Sequence, residues 1–123
     1  MPNTLITFER DFQIWKYTVG HAQLLLRSTK PPKCPTRIDV FFKNVGAIHV
    51  PTSFKQLSII GASAHEAVKM KVLDCSSVVG GHRKLFLIRG SDFEGYVVAG
   101  IVVWHEDQGE YHEPSYFAKN NIL

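Results

Sequence analysis

A chain of 123 residues and 13.9 kDa has the length of one domain, residues 1–123, and its 45% apolar and 11% aromatic content exceeds that of a disordered polymer. Surface scaling buries about two-thirds of the unfolded surface at this size, so neither disulfide nor metal staples are required. The net charge of +3 divides into +8 over residues 1–89 (thirteen Lys/Arg, five Asp/Glu) and −5 over residues 90–123 (one Lys, six Asp/Glu), a polarity that can steer partners.

The opening Met1-Pro2-Asn3-Thr4-Leu5-Ile6 has no basic n-region and no long apolar stretch, so no signal peptide is expected. Residues 1–11 read as less regular. Over residues 12–19 apolar side chains fall at 12 and 14, then at 15, 17 and 19, and this phase slip between Ile14 and Trp15 predicts a bulge. Gly20-His21 predicts a turn. Leu24, Leu25 and Leu26 in succession predict a strand covered on both faces. Three prolines over residues 28–35 exclude a central strand there. Residues 37–42 alternate, with Ile38, Val40 and Phe42 opposite Arg37 and Asp39.

Short apolar runs follow at 44–50 and 57–60. Residues 68–74 alternate again, placing Val68, Met70 and Val72 in the core opposite Lys69 and Lys71, although Ala64, Ala67 and Val68 could open with a helical turn. Gly80-Gly81 predicts a turn before the apolar run 85–88. The longest strand candidate is 95–105, and residues 106–123 read as polar and less regular. Eight regularly spaced strands with little helix predict an all-β antiparallel domain, either a β-sandwich or a small β-barrel.

The 95–105 strand is apolar on both faces: Tyr96, Val98, Val102 and Trp104 on one, Val97, Ala99, Ile101 and Val103 on the other. Antiparallel sheets commonly leave one face wet, so this strand needs two covers. Flanking loops could supply both. A second copy could supply one, and Tyr96, Val98, Val102 and Trp104 are then the expected self-association residues, with Gly100 marking a bend.

Chemical motifs are weak. The only dense donor cluster holds His105 and His112 among Glu106, Asp107, Glu110 and Glu113. A hairpin turning near Gln108-Gly109 would bring the two imidazoles together as metal ligands, against a plain solvated hairpin tip. Cys75 could act as a nucleophile with His82 as base, but no elbow or oxyanion-hole pattern surrounds it. Gly80-Gly81-His82-Arg83-Lys84 could cradle a phosphate, yet lacks the following helix of a P-loop. Trp15, Lys16 and Tyr17 with Arg27 and Arg37 give a faint aromatic-basic surface; with no block of like charges, nucleic acid is not an expected partner.

No 20-residue window is free of charge, since 85–104 is interrupted by Arg89, Asp92 and Glu94, and no membrane association is expected. Two cysteines, Cys34 and Cys75, predict free thiols in a reducing cytoplasm. The leading expectation is a non-enzymatic, bacterial-type cytoplasmic β-domain, a homo-oligomer working through protein or small-ligand contact, without a cofactor. The rival is a small β-barrel enzyme, or a metal- or ligand-binding protein, using the His105–His112 region or Cys75.

Overall fold

The computed structural model describes residues 3–29, 35–110 and 112–119. Its strands are β1 (Asn3–Thr18), β2 (Gln23–Ser28), β3 (Arg37–Lys43), β4 (Ala47–His49), β5 (Ser53–Ala62), β6 (Lys84–Arg89), β7 (Glu94–Ala99) and β8 (Ile101–Asp107). Three short helices are α1 (Ala64–Lys69), α2 (Cys75–Val79) and α3 (Tyr116–Lys119). All pairings are antiparallel, in the order β4-β7-β6-β5-β1-β2-β3-β8. The sheet does not close, because its end strands β4 and β8 do not pair with each other, and the architecture is that of an all-β sandwich.

The sheet doubles over at two corners. β3 pairs with β8 from Arg37↔Asp107 to Lys43↔Ile101, and the pairing resumes one residue out of step as Ala47↔Val98 in β4 and β7. Gly100 N–H reaches both Lys43 O (2.9 Å) and Asn44 O (3.1 Å), and Gly46 N–H donates to Val98 O at 2.7 Å. Between the halves lies the main core, with Phe12, Leu24, Leu26, Ile38, Val40, Phe42, Leu57, Ile59, Ile88 and Val97 all nearly sealed from solvent. Ile38, Val40 and Phe42 occupy the face that alternation predicts, and the bulge falls at Trp15, where the β1–β2 register slips between Ile14 and Lys16.

Two outer faces are also covered. On β5, β6 and β7, Ile60, Leu85, Leu87 and Val98 pack under Ala67, Val72 and Val78 of the α1–α2 region. On β2 and β3, Leu25 and Phe41 pack under Phe117, whose ring stacks on Phe41 at 5.2 Å. The Leu24-Leu25-Leu26 run is thus buried from both sides.

Four expectations are corrected. Residues 3–11, expected to be less regular, form the first half of β1 and pair with β5 from Thr4↔Ile60 to Phe8↔Leu57. Residues 64–69 are helix, and of the predicted core trio only Val72 is buried, with Val68 56% and Met70 42% exposed. The cause is local: Ser63 Oγ accepts Glu66 N–H and the Glu66 carboxylate accepts Ser63 N–H, a capping box that starts the helix. The 95–105 strand divides at Gly100 into β7 and β8, so the total of eight strands stands although its membership differs. After β8 no hairpin returns; the chain runs irregularly over 108–110 and 112–115 into α3.

Cys75 is a free, half-buried thiol, and Cys34 lies outside the described residues. Among the described residues no helix is long and apolar enough to cross a membrane.

Candidate functional site: a cleft beneath the segment after β8

Because Leu24 and Leu26 point into the main core, Gln23, Leu25 and Arg27 point outward from β2. On β1 the matching outward positions are Lys16, opposite Leu25, and Thr18, opposite Gln23. The bulge lets Trp15 stand beside them, with its ring 4.9 Å from the Arg27 guanidinium carbon. Residues 112–118 pass above this face. Between them and the sheet is a cleft of about 310 Å³ lined by Trp15, Lys16, Thr18, Gln23, Leu25, Arg27 and Phe41 below and by His112, Glu113, Pro114, Ser115 and Ala118 above. That volume is at the lower end for small-molecule sites.

Two buried arginines hold the roof in place. Arg27 donates to both Asp39 carboxylate oxygens (Nε 2.7 Å, Nη2 3.0 Å) and through Nη1 to Glu113 O at 3.3 Å; Arg27 and Asp39 are each almost fully buried. Arg37 donates to both Asp107 oxygens (3.1 and 3.0 Å) and to the carbonyls of Glu110, Glu113 and Pro114. Burial of Arg27 and Arg37 removes both from the aromatic-basic surface suggested by the sequence. Burial pushes the Asp107 carboxyl up, but hydrogen bonds from Arg37 and Gly109 N–H, with the charges of Arg37 and His105, outweigh it and hold the group below its ordinary value.

On β2 the floor residue Leu25 is flanked by Gln23 and by the engaged Arg27. Gln23 is 7% exposed and its side chain makes no hydrogen bond to the described residues, yet no polar side-chain atom among them is sealed without a partner. Its amide therefore keeps some contact with open space, and the cleft is the space it lines.

The sequence-predicted sites fare differently. Tyr96 and Val98 lie beneath α1 and α2, whereas Val102 packs on the main core and Trp104 sits opposite Val40, so the four do not share one face. The break at Gly100 reverses the phase of alternation. Both faces of β7 are covered from within the chain, by α1–α2 and the opposite half of the sheet, whereas β8 has no fully buried residue and Ile101 and Trp104 are 49% and 38% exposed. His105 stacks on Tyr116 at 3.7 Å, His112 is in the cleft roof, and no group of three metal-donor residues exists among the described residues.

Cys75 begins the five-residue α2 and makes no hydrogen bond to His82. Arg83 of the Gly-Gly stretch is engaged by Asp74 (3.2 Å) and Asn44 (3.0 Å), beside a shallow depression, and a strand follows instead of a helix. The cleft escaped sequence reasoning because its roof and floor are some ninety residues apart. Its available signal was a buried-strand pattern interrupted by Gln23 and Arg27. No protein-family model, curated protein or solved structure matches the chain.

Proposed function

We propose that the chain is a non-enzymatic cytoplasmic β-domain that holds a small ligand in the cleft between β1–β2–β3 and the segment after β8. The observation that carries this reading is the Gln23 side chain: 7% exposed as a residue, without a hydrogen-bond partner among the described residues, and bordering a cavity floored by Leu25 and Phe41. A carboxamide whose open contact is with a concave, partly apolar space is placed to orient a ligand there. At the roof, Ser115 Oγ accepts Phe117 N–H at 3.2 Å.

The test is a two-dimensional NMR titration of labelled protein with a chemically diverse set of fragments. Binding in the cleft moves the Gln23 side-chain amide and Trp15 indole signals together, and Ala118→Trp, which fills the mouth, abolishes the shifts. Shifts confined to other surfaces, or none from any fragment, refute the reading.

A second reading, homo-oligomerisation, is supported by a different observation. β8 ends the hydrogen-bonded order, so one of its sides has no strand partner among the described residues. It also carries Ile101 and Trp104, 49% and 38% exposed. A free strand edge with large apolar side chains is a template for pairing with another copy.

A further inference from the structure

Three polar groups of the cleft floor are neighbours. Thr18 and Gln23 are direct cross-strand partners, and Lys16 is two residues earlier on the same face of β1. Directly opposed side chains in an antiparallel pair start about 5 Å apart, so a hydroxyl, a carboxamide and an ammonium can converge on one small group. The Lys16 ammonium has no acidic partner among the described residues. Asp39 is occupied by Arg27, and Glu113 Oε1 accepts Glu110 N–H at 3.1 Å. Beside these donors Leu25, the cross-strand partner of Lys16, contributes apolar lining together with Phe41 and Trp15.

We propose that the cleft takes a small organic monocarboxylate, its carboxylate toward Lys16, Thr18 and Gln23 and its apolar body against Leu25, Phe41 and Trp15; this rests on the cleft being a ligand site. The charge count selects the class. The Arg27 fork is committed to Asp39 and to the Glu113 carbonyl, and the Glu113 carboxylate adds a negative charge at the roof, so Lys16 is the one floor cation without an acidic partner, beside two neutral donors. That set matches one negative charge with two acceptor oxygens better than the two charges of a phosphate monoester. The cavity volume limits the body to one or two rings or a short chain.

The experiment compares indole-3-acetate and benzoate with their neutral amides, and with phenyl phosphate, by calorimetry and by the same NMR signals. Each acid is expected to bind about tenfold or more tighter than its amide, as a lost charge-assisted contact implies. Lys16→Met and Thr18→Val should each erode that preference, weakening the acids more than the amides, with the melting temperature nearly unchanged. Gln23→Leu should weaken the acids as well, and its melting curve checks that the floor survives.

Equal affinity for acids and amides, or tighter binding of phenyl phosphate, overturns the monocarboxylate assignment and leaves the cleft as a ligand site of another class. Neutral fragments entering the cleft while both acids fail has the same meaning. If no compound moves the Gln23 and Trp15 signals, the cleft itself is not a ligand site and both proposals fall.

Discussion

Arg37 uses its whole guanidinium. A guanidinium has five N–H donors, and here two go to Asp107, two to the Glu110 and Glu113 carbonyls, and one to Pro114 O. The fork is 1% exposed and stands against Gly109, where a Cβ would meet Nη2 at 2.5 Å and Cζ at 2.6 Å. Arg37→Met should therefore cost about 3–5 kcal/mol in denaturant unfolding, since it strands a carboxylate and three carbonyls. Gly109→Ala should loosen residues 112–118, seen as faster amide exchange there than in β2 and β3. Asp107 adds an acid limit. Its carboxyl titrates lower in the folded chain than its ordinary value of 3.8, so its stabilisation is complete above that value and is lost as pH falls through the depressed folded one. Asp107→Asn should flatten this part of a melting-temperature profile; an unchanged acid limb would show that the ion pair does not contribute. Alternation correctly assigned Arg37 and Asp39 to the outer face. Outer did not mean wet, because the cover comes from residues seventy positions later, and strand periodicity carries no information about a distant loop.

At the scale of elements, period 2 and period 3.6 compete over residues 63–74. Val68, Lys69, Met70, Lys71 and Val72 alternate as well as any strand here, yet Ser63 and Glu66 close a capping box and start α1. The cap decides the local structure because it satisfies orphan N–H groups at the first turn, whereas the alternating residues have no strand to pair with. Ser63→Ala should accordingly cost about 1 kcal/mol. Val68→Asp and Met70→Asp should leave a folded chain within about 0.5 kcal/mol, as exposed substitutions do. Val72→Asp, beneath the helix pair at 4% exposure, should unfold it. Equal damage from all three would restore the strand assignment. The β7–β8 segment illustrates the complementary limit. Two covers are present over β7 but not over β8, and placing them required knowing that residues 64–79 are largely helical and that Gly100 reverses the phase.

For the whole molecule, the covers found within the chain narrow where a second copy could bind. Val98 is fully buried beneath α1 and α2, so of the four residues first suspected it is not available to a second copy, whereas Trp104 is 38% exposed. What remains is the open side of β8, where Ile101 and Trp104 are exposed and His105 with the acidic Glu106 and Asp107 occupies the far end. Charges at strand edges discourage pairing, so the apolar half of β8 is the part able to meet another copy. A two-fold dimer would use that half twice and extend the ladder across both chains. Ile101→Lys should then yield a folded monomer with a far-UV spectrum like the wild type, because the substitution lies outside the core. Val98→Asp should instead lose the fold, a buried unpaired charge costing several kcal/mol. Sedimentation across micromolar concentrations measures both. A wild-type chain that sediments as a monomer throughout ends the oligomer reading and leaves the cleft untouched, since no residue lining the cleft belongs to β8.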